Sequence, residues 1–178
     1  NAGISYTNNS DHIQLDSSKI KANNQLAHLK VIYQYFPMPR LKIKSGLESI
    51  HENLKQGLNG QSRFFEQNLY AAFAEANYHF NSDLVLQIGL RNSLSQGENS
   101  LMPRFSLAYR LNEKSQLALA YGDYVQNPSI LINQNNLAAA SARHWVLNYQ
   151  FATQDLTFRL EAYHKKYDQL LRFDESYT

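Results

Sequence analysis

Six histidines are the side chains best suited to chemistry in this cysteine-free sequence. His12, His28, His51, His79, His144 and His164 fall on separate stretches. None makes the i, i+2 pair on one strand face, or the clustered spacing, that a metal site needs. No metal and no other cofactor is expected. Ser106, His79 and Glu75 have the residue types of a nucleophilic triad and share a face in the reading below. Any polar wall of this composition offers such a trio, and only hydrogen-bond geometry would make it catalytic. No catalytic residue is assigned and no enzyme is expected. Without cysteine there is no thiol nucleophile, thiolate ligand or disulfide framework. No glycine-rich phosphate loop or dinucleotide fingerprint occurs. The net charge of +2, with scattered basic residues, argues against nucleic acid.

Binding chemistry has better material. Between Tyr124 and Ala142 the chain carries Tyr124, Gln126, Asn127, Asn133, Gln134, Asn135 and Asn136, amide donors and acceptors with little charge. Tyr124, Gln126, Asn127, Asn133 and Asn135 are the candidate ligand-binding residues, although a solvated loop has the same composition. A second set, Lys42, Lys44, Glu48, Glu75, Gln87, Arg91, Arg104, Arg159 and Glu161, shares the polar side of the elements that hold it. Cross-strand charge pairs that bind nothing would look alike.

Those elements are strands. Apolar and polar residues alternate over segments of about ten residues bounded by Asn, Ser, Gly, Pro or Asp. The segments pair across tight turns. Ala27, Leu29, Val31, Tyr33 and Tyr35 precede Phe36-Pro37-Met38-Pro39, then Leu41, Ile43 and Leu47 follow. Tyr70 to Phe80 precedes Asn81-Ser82, then Leu84, Leu86, Ile88 and Leu90. Phe105 to Leu111 precedes Asn112-Glu113-Lys114, then Leu117, Leu119 and Tyr121. Trp145 to Phe151 precedes Ala152-Thr153-Gln154-Asp155, then Leu156, Phe158, Leu160 and Ala162. Longer polar connections are expected at 7–23, 53–63, 92–100 and 126–142, and a short first strand at Ala2 to Tyr6 gives eight or nine strands.

Short and long connections in alternation are the wiring of an antiparallel up-and-down transmembrane β-barrel. A mean hydropathy of −0.50 does not oppose it, because only every second barrel residue meets lipid. The 12 Tyr and 9 Phe, several near strand ends, fit aromatic girdles. No apolar run approaches the roughly 20 residues of a spanning helix.

Four motifs resemble one family. Pro103-Arg104-Phe105-Ser106-Leu107-Ala108-Tyr109-Arg110-Leu111 leads to Ser115-Gln116-Leu117-Ala118-Leu119-Ala120-Tyr121-Gly122-Asp123-Tyr124-Val125-Gln126-Asn127-Pro128. Ala142-Arg143-His144-Trp145-Val146-Leu147-Asn148-Tyr149 and Arg159-Leu160-Glu161-Ala162-Tyr163-His164-Lys165-Lys166-Tyr167-Asp168-Gln169-Leu170 follow. In order and spacing these resemble the barrel of TonB-dependent outer-membrane receptors, most of all those of Bacteroidetes-type bacteria, over roughly residues 70–170. Ala140 stands where the family often has an acidic residue, and Asn148 where it often has glycine.

The resemblance implies a receptor in the outer membrane of a Gram-negative bacterium. Such a receptor binds a scarce nutrient, siderophore-iron or another small molecule, metal chelate, peptide or glycan, and imports it with energy from TonB. Residues 1–178 would then be a partial barrel without signal peptide or plug, an internal piece of about 22 strands. The TonB complex would be engaged by other parts of the protein, and the strands would contact outer-membrane lipid. Two other readings stay open: a complete small outer-membrane barrel serving as anchor or adhesin, and a soluble all-β binding module.

Overall fold

The computed structural model describes residues 1–15, 18–58, 61–128 and 139–170. Nine antiparallel strands form one sheet in chain order: β1 (Ala2–Leu15), β2 (Ser18–Met38), β3 (Leu41–Leu58), β4 (Gln61–His79), β5 (Leu84–Ser95), β6 (Glu98–Asn112), β7 (Ser115–Gln126), β8 (Ala140–Ala152) and β9 (Thr157–Asp168). Each strand pairs with the next, and β1 and β9 are the two edges.

The expected tight turns are present, and asparagine side chains close two of them. Asn81 Oδ1 accepts from the backbone N–H of Asp83 at 2.9 Å and of Leu84 at 2.7 Å, and Asn112 Oδ1 accepts from Lys114 N at 2.9 Å. Asn is favoured at such positions because its side chain imitates a backbone acceptor.

Three of the expected long connections are corrected. Most of 7–23, 53–63 and 92–100 is strand, so β2, β3 and β4 reach 21, 18 and 19 residues. Apolar alternation fades in these segments because both faces meet water above the bilayer. The ladder persists nonetheless: Asn23 pairs with Lys55 and Gln56 with Arg63. β5 and β6 close through Gln96 and Gly97, whose φ values of 52° and 84° are the positive pair that a two-residue hairpin turn requires. The first strand likewise runs to Leu15 rather than ending at Tyr6.

Register separates the side chains into two faces. One carries Leu29, Val31, Leu47, Ala72, Ala74, Ile88, Leu90, Phe105, Leu119, Leu147 and Leu160, and it is nearly all carbon. Tyr35, Tyr78, Tyr109, Tyr149 and Phe158 stand near its short-turn end, and Tyr70, Tyr121 and Trp145 near its other end. On β4 eight residues separate Tyr70 from Tyr78, about 20–25 Å along a tilted strand, the height of a hydrocarbon belt. Above the upper row the same face turns polar. Asp123 Oδ1 accepts from Tyr121 Oη at 2.9 Å and Arg143 Nε at 3.1 Å, while His51 hydrogen-bonds Asn68.

Water would not tolerate this belt. Leu47 is 65% exposed and Leu160 61%, whereas the buried apolar residues among those described are Leu54, Ala71, Met102 and Ala139. A soluble domain of this length buries about two-thirds of its unfolded surface around a core. The solvent that satisfies the belt is lipid, which removes the soluble-module alternative.

Candidate functional site

The face opposite the belt collects the charges, because a period of two sends Lys42, Lys44, Glu48, Glu75, Gln87, Arg91, Arg104, Arg159 and Glu161 to the same side. Five of them, Lys44, Glu48, Glu75, Arg91 and Arg104, meet, with Lys30, in two ion-pair groups and one cation–ring contact. Lys44 faces Glu75 across β3 and β4, Nζ to Oε2 at 3.4 Å. Lys30 faces Glu48 across β2 and β3, Nζ to Oε1 at 3.2 Å. Arg91 reaches over β4 to Glu48 Oε2 at 2.7 Å, past the position filled by the small, buried Ala71. His28 Nε2 lies 2.9 Å from Glu48 Oε1. A carboxylate so surrounded is kept charged and fixed, since each charged partner adds a short directional bond.

An aromatic ring organises the middle of this group. Phe73 stands directly opposite Gly46, and its ring lies across the glycine: a Cβ there would come within 2.6 Å of Phe73 Cζ. The Lys30 and Lys44 ammonium groups approach the same ring, 5.8 and 5.6 Å from its centroid. Lys30, Lys44, Glu48, Phe73, Glu75, Arg91 and Arg104 line a concavity of about 350 Å³.

A second group begins at Arg104. Its guanidinium lies 5.0 Å from the Tyr124 ring centroid, and Tyr124 contacts the His144 ring at 4.8 Å, with Tyr167 6.0 Å beyond. Gly122 makes this possible, because a Cβ there would meet the Tyr124 ring at 2.9 Å. His144 Nε2 is buried and has no hydrogen-bond partner among the described residues.

The other candidates are dispersed. Lys42 sits 5.9 Å from the Phe36 ring, Gln87 stands in register between Asn77 and Ser106, and Arg159 and Glu161 are neighbours at 3.7 Å on edge strand β9. Tyr124 and Gln126, expected in a loop, belong to β7, and Asn127 follows directly. The ladder to β8 continues to the Gln126–Ala140 pair, so the loop begins later than its polar composition indicated. Asn133 and Asn135 lie outside the described residues.

The Ser106, His79 and Glu75 trio does not assemble. Glu75 is engaged by Lys44, while His79 and Ser106 stand two strands apart, about 9–10 Å across the sheet. Among the described residues no group of three or more His, Asp or Glu could hold a metal ion.

Phe73 and Tyr167 escaped the sequence reading, and His144 was weighed there only as a metal ligand and not as a ring partner of Tyr124. Phe73 shares the parity of Glu75, which put an aromatic on the polar side, but its partner Gly46 emerges only from register. His28 and Lys30 had the right parity, yet their common target, Glu48, is 18 to 20 residues away in the chain.

Residues 3–178 match the family described as TonB dependent receptor-like, beta-barrel. The chain belongs to that family. Solved structures agree in fold. The alcaligin outer membrane receptor FauA from Bordetella pertussis superposes with a TM-score of 0.75 over 99% of this chain and 35% of its own, at 14% identity. The siderophore receptor PirA from Pseudomonas aeruginosa gives 0.73 over 93% of this chain and 35% of its own, at 15% identity. The ferric yersiniabactin uptake receptor FyuA from Yersinia pestis gives 0.71 over 92% and 32%, at 11% identity. No curated protein sequence matches. The chain thus spans about a third of these receptors' length, and membership of the TonB-dependent family makes it an outer-membrane barrel segment of a Gram-negative bacterium. The narrower Bacteroidetes-type likeness is an expectation from the four motifs alone.

Proposed function

We propose that this chain is wall and rim of a TonB-dependent receptor that captures a siderophore-bound metal or another small ligand outside the cell and imports it at the expense of TonB. One observation carries the reading: an open sheet with a hydrocarbon belt on one face and an ordered charge network on the other. A face dense in ion pairs and opposite lipid lines a lumen. The unpaired edges of β1 and β9 need further strands, since the bilayer offers no water to satisfy them. That requirement favours a wall segment of a larger barrel over a complete small anchor or adhesin.

The segment contributes recognition and positioning rather than a chemical step. Tyr124, Gln126 and Asn127 at the upper end of β7 form the ligand-facing rim, with Lys42, Lys44, Glu48, Glu75, Gln87, Arg91, Arg104, Arg159 and Glu161 along the lumen below; Asn133 and Asn135 are proposed as further ligand contacts from their amide chemistry alone. The plug and the segment that engages TonB belong to other parts of the protein. Structural neighbours named for siderophores support a ferric chelate as ligand, and one named as a copper transporter keeps other metal complexes in view.

The test is uptake of iron-55 presented as a panel of ferric siderophores, alcaligin, enterobactin and yersiniabactin among them, by cells with and without the full-length gene. The expected result is loss of uptake of one chelate in the gene deletion and in a TonB deletion, with surface binding surviving only in the latter. Unchanged binding and uptake of every chelate in the gene deletion would overturn siderophore import.

A further inference from the structure

A row of cations without acids crosses the wall just below the rim. Arg104 on β6, Gly122 on β7, His144 on β8 and Lys165 on β9 are successive partners in register, all on the face opposite the belt. The line is level with the upper aromatic row, since Gly122 adjoins Tyr121 and His144 adjoins Trp145. Arg104 and Lys165 are exposed, and each lies 5.0 Å from the centroid of a ring, Tyr124 and Tyr163 respectively. Neither has a carboxylate partner among the described residues. The acids of the same strands stand elsewhere. Asp123 and Asp168 are on the opposite face, where Arg143 and Lys166 hold them at 3.1 and 3.7 Å. Glu161 sits beside Arg159 further down β9, and Glu98 near the top of β6, about 13 and 20 Å along the strands from Lys165 and Arg104.

The connection above the row cannot neutralise it, because the sequence has no Asp, Glu, Lys or Arg from Tyr124 to Ala142. Glycines stand on both sides of Arg104 in its ladder line, Gly89 of β5 and Gly122 of β7. The space over Gly122 takes the Tyr124 ring, which contacts His144 at 4.8 Å, and Tyr167 follows 6.0 Å from His144. The surface thus alternates positive charge and aromatic ring across β6 to β9.

We propose that this surface selects a net-anionic metal chelate carrying aryl rings, of the ferric tris(catecholate) type, over neutral and cationic chelates. The proposal rests on the reading of the chain as part of a receptor for a metal chelate. Unneutralised cations on a low-dielectric wall attract an anion before contact. Strands β6 and β9 are about 14 Å apart across the sheet. Arg104 and Lys165 are turned onto separate rings, so a lone phosphate or carboxylate group satisfies one of them, whereas a chelate with several anionic oxygens spans both. The guanidinium donates charge-assisted hydrogen bonds to such oxygens. Aryl rings pack offset or edge-on against Tyr124 and Tyr167. A neutral ferric tris(hydroxamate) offers neither the rings nor the net negative charge.

The experiment measures equilibrium binding of iron-55 chelates to the full-length receptor purified in detergent micelles. The probes are ferric enterobactin, a net-anionic tris(catecholate), ferrichrome, a neutral tris(hydroxamate), and ferrioxamine B, a cationic hydroxamate. Ferric enterobactin is expected to bind about tenfold or more tightly than the other two, and its affinity alone should fall steeply with added salt. Arg104→Gln should weaken it by about tenfold and Arg104→Lys by less, because the ammonium keeps the charge and loses the paired geometry. Lys165→Gln should weaken it in the same direction, and it decides the matter if Arg104→Gln fails to fold. Lys166→Gln, which removes the adjacent cation from the other face, should leave binding unchanged. Failure of all three chelates to bind would overturn the chelate-receptor reading and the proposal with it. Equal or tighter binding of ferrichrome or ferrioxamine B would overturn the proposal and leave that reading standing, as would ferric enterobactin affinity that survives loss of these cations.

Discussion

Replacing Gly46 with alanine should destabilise the folded wall by about 2–5 kcal/mol, a large penalty for one methyl group on a polar surface. A Cβ at this position would stand 2.5 Å from the Val31 carbonyl oxygen and 2.6 and 2.7 Å from Phe73 Cζ and Cε1, whereas ordinary contact begins at 3.4 Å. The neighbours would have to retreat by about 0.7–0.9 Å, the difference between those values. The carbonyl belongs to the β2–β3 ladder and can retreat only by spreading it, an overpacking cost of about 1–3 kcal/mol. The Phe73 ring would swing off the glycine and leave Lys30 and Lys44, each contact contributing about 0.5–1 kcal/mol at a half-exposed site. Urea titration of the full-length receptor in micelles, followed by far-ultraviolet circular dichroism, reads the change as a shifted midpoint at constant slope. Phe73→Ala separates the two causes: in the double variant the ring component should vanish and the carbonyl component persist, giving about 1–2 kcal/mol of non-additivity. A Gly46→Ala variant within 0.5 kcal/mol of wild type would refute the reasoning, as would strict additivity with Phe73→Ala.

Three further expectations follow from the two faces, the ion pairs and the turns. Ile88→Arg, on the belt side at mid-height, should cost about 2–4 kcal/mol in lipid, whereas Gln87→Arg on the adjacent residue should cost less than about 1 kcal/mol; equal costs in vesicle refolding would reverse the assignment of faces. Glu48→Gln should cost about 1–2 kcal/mol, well below the 3–5 kcal/mol for a fully buried pair, because Arg91 and Lys30 are 23% and 39% exposed and water screens them. A double-mutant cycle with Arg91→Gln measures that coupling, and independent effects would show that the 2.7 Å contact contributes nothing. Asn81→Ala removes the acceptor that closes the β4–β5 turn and should cost about 1 kcal/mol, visible as faster exchange of the Asp83 and Leu84 amides.

Much of the charged face was legible in the sequence, and the reason is geometric. A strand sends successive side chains to opposite faces, so the parity of Lys44, Glu48, Glu75, Arg91 and Arg104 within their own segments settled that each stands opposite the belt. Turn positions were readable for a similar reason, because Asn81 and Asn112 act on amides two or three residues away. Strand ends above the bilayer were not readable. At Asn23, Lys55 and Arg63 both faces are wet, alternation disappears, and the ladder continues on backbone bonds that carry no side-chain signature.

Contact between strands is what only tertiary structure decided. Parity alone determined a two-faced wall, one side for hydrocarbon and one for charge. Which charges meet depends on register, and in this sheet register brings together residues 13 to 43 positions apart in the chain, as with Arg91 and Glu48. Phe73 over Gly46 and Tyr124 over Gly122 show the same division of labour. The sequence supplies an aromatic ring and a missing Cβ, and the pairing of strands in one case and the local pleat in the other lays the ring in the gap.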